Sequence, residues 1–253
     1  MKWLKNCFSF GADRSPEKGN VVTGRGGEVD QQFRALGPWV TKFVLDGVAY
    51  GGGYDTMRDA RLTQFHEAFP GAETVLELGS LEGGHTVVLS RLQGMKRVVA
   101  VDARQANIAR ARLIQRLLNL TNVEFVQGDL ETHDLSELGR FDAVFCVGLL
   151  YHLTAPWTLI ERIANVSPGL FLWTHYVADD QANVVVNKYQ GTSHPEGGIR
   201  DPLSGLSTTA FRPTLDSLRQ MLAEHGFQQT TIIEKDPGHQ NGPAVTIVAT
   251  RGN

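Results

Sequence analysis

The segment from Val75 to Thr86 reads VLELGSLEGGHT and combines an acidic residue, a glycine-rich turn and the start of a helical pattern. Glu77 places a carboxylate at the carboxyl end of a predicted strand, where open α/β sheets bind ligands. Gly79 and Gly83 would let the backbone approach a ligand closely. The helix expected near Gly83 would present free backbone N–H groups at its positive end. These features predict a ligand-binding turn.

Two further carboxylates follow predicted strands. Asp102 ends RVVAVD and is placed to accept hydrogen bonds from ribose hydroxyls. Asp129 lies in VQGDL, after the next strand, where it could accept a hydrogen bond from an adenine amino group. Together with the glycine turn, they predict a site for an adenine nucleoside.

The elements that must position these groups alternate along the chain. Short apolar runs at 74–78, 97–102, 123–127, 141–147 and 169–175 suit strands covered on both faces. Helical patterns separate them, which predicts a parallel sheet with right-handed crossovers. Runs at 229–235 and 244–251 have no room for a helix between them and predict an antiparallel pair. The expected fold is therefore α/β: a Rossmann-like, doubly wound, mostly parallel sheet with an antiparallel C-terminal strand pair.

Helix boundaries can be proposed from capping residues. Asp55 is predicted to cap a helix that ends before Pro70. Thr154 is predicted to cap a helix with Pro156 in its first turn. Thr214 begins a further helix, which Gly226 ends in a left-handed turn.

Size and composition fit one domain. The chain has 253 residues, 42% hydrophobic, with a formal net charge of -3, which gives no general electrostatic case for nucleic acid or membrane. Residues 1–35 are expected to form a mobile N-terminal extension, and residues 36–253 the domain. Residues 1–10 make a poor signal peptide, no apolar stretch approaches a membrane span, and a cytoplasmic enzyme is expected. Cys7 and Cys146 lie too far apart in the sequence to suggest zinc or a disulfide framework.

From about Trp39 to Arg251, the order of motifs resembles that of class I S-adenosylmethionine-dependent methyltransferases. The resemblance implies that the cofactor is S-adenosyl-L-methionine and that it is bound by Glu77, Gly79, Ser80, Gly83, Asp102, Ala103, Asp129, Leu130 and Val147. Leu81 stands where many members have glycine, so the turn is expected to take a slightly different path. An NAD enzyme also has a glycine turn and an acidic residue like Asp102. Asp129 and the terminal strand pair favour the methyltransferase.

Candidate catalytic residues follow the fourth and fifth strands of the predicted sheet. The segment CVGLLYHLTAP contains Tyr151 and His152, and His175 ends the next strand. A neutral imidazole suits a general base acting on a hydroxyl, although either histidine could instead only pack or hydrogen-bond locally. Cys146 stands where metal-using relatives have a carboxylate, so no metal is expected.

Residues 177–212 are predicted to form an insertion on the substrate side of the domain, because loops of this length usually have a function. The segment contains His194 and Glu196, whose spacing is only a weak indication of a metal site. It could close over an acceptor or be a solvated excursion.

A narrower likeness links three stretches, at 43–62, 147–156 and 211–227, to bacterial tRNA wobble-uridine carboxymethyltransferases. Those enzymes bind the extra carboxylate of a modified cofactor partly with a lysine and an arginine. Here Lys42 could stand for the lysine, whereas Ser207 falls where the arginine is expected. We therefore expect a relative that uses ordinary S-adenosylmethionine.

The preferred hypothesis is methyl transfer to a hydroxyl of a small molecule or glycan. A tRNA-modifying alkyl- or methyltransferase and a non-catalytic cofactor-binding partner subunit are the alternatives. Nucleic acid is possible but not favoured, no membrane partner is expected, and the sequence does not determine the oligomeric state.

Overall fold

The computed structural model describes residues 27–252, and a central sheet of seven strands organises them. Its strands are β3 (Thr74–Leu78), β4 (Arg97–Asp102), β5 (Val123–Gln127), β6 (Ala143–Val147), β7 (Gly169–His175), β11 (Gln229–Asp236) and β12 (Ala244–Thr250). Their order across the sheet is β11-β12-β7-β6-β3-β4-β5. Strands β3 to β7 pair in parallel, and β12 is antiparallel to both β7 and β11. The predicted fold class, including the terminal antiparallel pair, is confirmed.

Helices cover both faces of the sheet. They are α1 (Glu28–Leu36), α2 (Ala60–Ala68), α3 (Gly84–Leu89), α4 (Gln105–Leu117), α5 (Pro156–Val166) and α6 (Leu215–Glu224). Successive residues of β3 belong to different cores: Val75 to one, and Leu76 and Leu78 to the other. This alternation is the two-residue period of a strand buried on both faces.

Two helices have a different N-cap from the one predicted. Asp59, rather than Asp55, caps α2, because its carboxylate accepts the N–H of Arg61 at 2.9 Å. Residues Thr56–Arg58, after Asp55, form a separate 3-10 turn. Helix α5 begins at Pro156 with Ala155, not Thr154, as its N-cap, and the side chain of Ala155 cannot accept a hydrogen bond.

Two other helix boundaries are as predicted. Thr214 Oγ1 accepts the N–H of Ser217 at 3.2 Å at the start of α6. Gly226, just past its end, has φ +94°. Strand β6 begins at Ala143, two residues later than the apolar run at 141–147 suggests.

The N-terminal part of the described chain is packed against the domain. Helix α1 buries Phe33 against Trp39 and Tyr50, with ring centroids 4.5 and 4.9 Å apart. Residues 28–35, predicted to belong to a mobile extension, lie in this helix, which is held by these ring contacts and by the hydrogen bond from Arg110 Nε to the Leu36 carbonyl at 2.8 Å. The rest of that predicted extension, with Cys7, lies outside the described residues. A hairpin of β1 (Lys42–Leu45) and β2 (Val48–Gly51) follows.

The segment predicted as an insertion contains a second, three-stranded antiparallel sheet. Its strands are β8 (Val184–Val186), β9 (Tyr189–Pro195) and β10 (Thr209–Pro213), in the order β10-β9-β8. Phe211 of β10 donates its N–H to the carbonyl of Leu153 at 2.8 Å. This bond fixes the small sheet beside the segment that follows β6.

Candidate active site

A cavity of about 930 Å³ lies at the carboxyl ends of β3, β4, β6 and β7, beside the small sheet. Seven residues predicted from the sequence line it: Gly79, Ser80, Asp102, Val147, Tyr151, His152 and His175. The other five, Glu77, Gly83, Ala103, Asp129 and Leu130, are not among the lining residues. The fold thus brings the predicted cofactor loop and the predicted catalytic residues to one cavity.

The glycine turn is held by its two left-handed glycines. Gly79 has φ +78°, and a Cβ there would lie 3.2 Å from Leu149 Cβ. Gly83 has φ +84°, and a Cβ there would lie 3.0 Å from Phe125 Cζ. The lack of a side chain at Gly83 therefore allows close packing against Phe125, and Gly83 does not line the cavity.

Leu81 adopts the left-handed conformation that glycine would adopt, with φ +50°. Its N–H donates to Asp102 Oδ2 at 2.9 Å, which holds the turn against the end of β4. Leucine at this position therefore adopts a backbone conformation that is strained for a residue with a side chain, and the turn remains bonded to β4.

Asp102 is fixed before any ligand arrives. Its Oδ1 accepts the N–H of Arg104 at 2.8 Å and Asn107 Nδ2 at 3.0 Å. Burial raises the pKa of Asp102, and these hydrogen bonds oppose the rise. The carboxylate still lines the cavity, so its unused lone pairs are available to hydroxyl donors.

Glu77 lies just behind the cavity and is 1% exposed. Its Oε2 accepts from Thr86 Oγ1 at 2.5 Å, whereas Oε1 is buried without a hydrogen-bond partner. Burial raises the pKa of Glu77 to about 8. The carboxyl group is therefore mostly protonated near pH 7, and a cationic or N–H group at its unpaired oxygen would favour the ionised form.

A polar cluster beside Glu77 was not predicted. His85 lines the cavity, with Nε2 3.0 Å from Asp59 Oδ2 and Nδ1 3.9 Å from Glu77 Oε1. Burial alone would raise the pKa of Asp59, but hydrogen bonds from His85 and Arg61 bring it well below its usual range. The guanidinium of Arg61 lies 4.4 Å over the Trp173 ring. The histidine directly after the glycine turn, in GGHT, was the available signal.

The residues predicted to flank adenine are not among those that line the cavity. Asp129 is exposed, and its Oδ1 accepts the N–H of Glu131 at 2.9 Å. Leu130 is buried, and its carbonyl accepts from Arg162 Nη2 at 2.7 Å. Ala103 is half-buried. Roles for these residues remain predictions.

His152 forms a pair with Glu196. Its Nδ1 lies 2.8 Å from Glu196 Oε2, across 44 residues of sequence. Burial would raise the pKa of Glu196, but hydrogen bonds from Ser204 Oγ, the Gly205 N–H and His152 lower it. The ionised carboxylate only accepts, so Nδ1 carries the proton, and in the neutral ring Nε2 carries the lone pair. Burial lowers the pKa of His152, against the opposing effect of Glu196.

His175 is fixed in the same tautomer by a different route. Its Nδ1 faces the carbonyl oxygens of Gly242 and Pro243, at 2.9 and 3.2 Å. Because carbonyls only accept, Nδ1 again carries the proton. Burial lowers the pKa of His175. Both candidate histidines line the cavity and are held as neutral bases near pH 7.

Tyr151 lies between the two histidines, with ring centroids 4.1 Å from His152 and 4.6 Å from His175. Burial raises its pKa to about 12, so its hydroxyl is a donor rather than a base at neutral pH.

Burial also raises the pKa of the Cys146 thiol to about 12, and this cysteine is a packing residue. Among residues 27–252, no group of three or more His, Cys, Asp or Glu side chains is arranged to hold a metal ion.

Within the same residues, no helix is long and apolar enough to cross a membrane.

Arg104 links the predicted cofactor side of the cavity to the insertion. Its Nη2 donates to the carbonyls of Asp201 and Ser204 at 2.8 and 2.9 Å.

Comparison with known proteins agrees with this geometry. Residues 71–198 match the family model described as a methyltransferase domain. The N-terminal domain of EvdMO1, solved in the presence of SAH and D-fucose, is 34% identical with a TM-score of 0.80. That match covers 89% of this chain and 96% of that domain. A second structure, of EvdMO1, is 31% identical with a TM-score of 0.70, over 88% of this chain and 47% of that chain.

Curated relatives are more distant. The tRNA U34 carboxymethyltransferase of Shewanella amazonensis is 26% identical over 166 residues, 64% of this chain. This chain spans about half the length of the curated relatives it matches, 46% in that case. The family model covers the cofactor turn, Asp102, His152 and Glu196 together. The chain therefore belongs to the methyltransferase domain family and is a class I S-adenosylmethionine-dependent methyltransferase.

Proposed function

We propose that this methyltransferase acts on a hydroxyl group of a small molecule or glycan, and that His152 is the general base. The observation that carries the proposal is the His152–Glu196 pair on the wall of the cavity. A hydroxyl is a poor nucleophile until its proton is removed, and a neutral histidine oriented by a carboxylate is suited to remove it.

The residues of the cavity fit the cofactor. Asp102 would accept ribose hydroxyls with the lone pairs that Leu81, Arg104 and Asn107 leave free. The unpaired Oε1 of Glu77 would help to bind the cofactor's amino end. The loop from Gly79 to Leu81 and Val147 line the same cavity as Asp102 and the two histidines. When bound, S-adenosylmethionine supplies a methyl group activated by a sulfonium.

On this proposal, the chain positions the acceptor and moves one proton. His152 Nε2 accepts the hydroxyl proton, and Glu196 stabilises the resulting imidazolium through Nδ1. His175 stands second as a base, because its Nδ1 faces neutral carbonyls rather than a carboxylate. Tyr151, between them, would orient the acceptor by hydrogen bonding.

Sugar acceptors are favoured by one comparison. The N-terminal domain of EvdMO1, 34% identical to this chain, was crystallised in the presence of D-fucose. A sugar presents hydroxyl groups and apolar C–H faces, and the cavity wall offers polar side chains beside the rings of Tyr151 and Trp173. D-fucose is therefore the first acceptor to test.

The tRNA alternative has less support. Neither Lys42 nor Ser207, the positions expected for a carboxylate clamp, is among the residues that line the cavity. This agrees with the use of ordinary S-adenosylmethionine. RNA is therefore tested as an acceptor in the experiment below, but it is not the favoured one.

The test is single-turnover transfer from methyl-labelled S-adenosylmethionine to D-fucose, to its methyl glycoside and to bulk tRNA. We expect label in the sugars, and a rate lowered about 10²–10⁴-fold in His152→Ala. His225→Ala, which removes a histidine at the end of α6 away from the cavity, is the matched control. Label in tRNA alone would refute the acceptor class. A near-native rate in His152→Ala together with a large loss in His175→Ala would move the base to His175.

A further inference from the structure

Arg212 belongs to β10 and reaches the cavity from the small sheet. Its side chain is 14% exposed, and its guanidinium carbon lies 5.5 Å over the Tyr151 ring. Arg212 therefore lies beside Tyr151, which is proposed to orient the acceptor, and near the Glu196 carboxylate that bonds the proposed base, His152.

The contacts of Arg212 differ from those of the other two arginines on the cavity wall. Arg61 donates Nε to Asp59 at 2.8 Å, and Arg104 donates Nη2 to the Asp201 carbonyl at 2.8 Å. Within the described residues, the side chain of Arg212 makes one hydrogen bond, from Nη1 to the Asn241 carbonyl at 3.5 Å. Its Nε is buried without a partner, as is the Nε of Arg104, but Arg104 Nη2 donates to the carbonyls of Asp201 and Ser204. A buried donor without an acceptor is costly unless water or a ligand supplies one.

The position of Arg212 relative to the base is informative. Glu196 lies 4.0 Å from Arg212 Nη2 through Oε1, while its Oε2 bonds His152 Nδ1 at 2.8 Å. One carboxylate thus holds the proposed base on one oxygen and faces the guanidinium with the other. The charge of Arg212 also acts to lower the pKa values of His152 and His175, which keeps both rings neutral.

We propose that Arg212 is a second catalytic residue, which donates to the acceptor oxygen and stabilises the negative charge that develops on it. The inference rests on the proposed hydroxyl acceptor. As the O–H proton moves to His152 Nε2, the electron pair left on oxygen forms the O–CH₃ bond while the S–CH₃ bond breaks and its electrons stay on sulfur. Guanidinium donors directed at that oxygen favour this step because the charge is greatest there.

Neutralising Glu196 is the competing structural role. At 4.0 Å that ion pair has no hydrogen bond and leaves Nε unused, so charge balance alone does not explain the arrangement. Arg212→Lys separates the two roles: it keeps the positive charge and removes the fork of donors.

The test uses formate, a small oxyanion of the kind that guanidinium binds well. Binding of ¹³C-formate to the complex of the protein with S-adenosylhomocysteine is followed by NMR relaxation. Wild type, Arg212→Gln, Arg212→Lys and Arg97→Gln are compared. Arg97→Gln removes the same charge at a site outside the cavity, beside Glu124. Thermal melting and S-adenosylhomocysteine affinity verify that each variant is folded.

We expect saturable binding in wild type and Arg97→Gln, at least tenfold weaker binding in Arg212→Gln, and an intermediate value in Arg212→Lys. On a hydroxyl acceptor, Arg212→Gln should lower the single-turnover rate about 10²–10³-fold. Equal formate binding in Arg212→Gln, or no saturable binding in wild type, overturns the assignment. Because the titration needs no acceptor, that failure is distinct from a failure to methylate D-fucose.

Discussion

The two sides of the cavity are assembled over different distances in the sequence. On the cofactor side, Asp102 bonds residues 21 and 5 positions away, and Glu77 bonds Thr86, nine positions away. On the acceptor side, His152 meets Glu196 across 44 residues, and His175 meets Gly242 across 67. The proposed cofactor side is thus built from β3, its turn and helix, and the adjacent end of β4, whereas the proposed acceptor side is a meeting of segments more distant in the sequence.

This difference implies that mutations on the two sides of the cavity should have different effects on methyl-transfer rate and on cofactor affinity. Local bonds fix the cofactor side, so changes on the acceptor side should affect rate more than cofactor affinity. Arg104 is the exception, because it bonds the insertion from the end of β4.

The largest expected effect is that of Glu196→Gln. Loss of the carboxylate removes the charge that stabilises protonated His152, so single-turnover methyl transfer should fall about 10²-fold or more. Affinity for S-adenosylhomocysteine, measured by isothermal titration, should stay within about twofold, because free energies of distant sites are nearly independent. Glu67→Gln, an exposed carboxylate on α2, is the control. An equal loss of cofactor affinity would contradict the separation of the two sides.

Asp102→Ala should give the reverse pattern. It removes a charged acceptor for ribose hydroxyls and frees the Leu81 N–H, so affinity for S-adenosylhomocysteine should weaken by roughly 1.5–3 kcal/mol. Asp129→Ala should cost less, because Asp129 is exposed and outside the cavity lining. Full affinity in a folded Asp102→Ala protein would show that ribose binds elsewhere.

The pH profile sharpens the comparison on the acceptor side. The pKa of His152 is lowered by burial and raised by Glu196, with a net lowering. A lowered pKa keeps the ring unprotonated to lower pH, so the acidic limb of the single-turnover rate should have its midpoint below about 6.5, the ordinary histidine value. In Glu196→Gln, this midpoint should move further down. A limb at or above the ordinary value would contradict the assignment of His152 as the base.

The smallest effect is expected at Leu81→Gly. Glycine relieves the strain of φ +50° but adds freedom to the unfolded chain. The free energy of unfolding should change by no more than about 1 kcal/mol, and cofactor affinity should change little. Denaturant unfolding and titration with S-adenosylhomocysteine measure both. A large loss of affinity would show that the leucine side chain contributes to binding.

Residues that the sequence did not reveal share one property. The sequence indicates Glu196 only as one polar residue of the insertion and as a weak metal ligand beside His194, and it gives no signal for Arg212. Each contacts the segment after β6 where the small sheet lies beside it: Glu196 bonds His152, and Arg212 lies over the Tyr151 ring. Periodicity reports how a residue sits in its own element, and it carries no information about which distant side chain will face it.

The sequence alone determined the sheet, because near-continuous apolar runs that alternate with amphipathic helices can be buried in few other ways. It also predicted the glycine turn, and the bonds that hold Glu77 and Asp102 are made to residues within about 21 positions in the chain. Helix starts were less certain, because Asp55 and Asp59 are chemically equivalent caps and only the folded backbone selected Asp59. The acceptor side was decided by tertiary structure, because the tautomer of His152 and the open donors of Arg212 depend on contacts made across tens of residues.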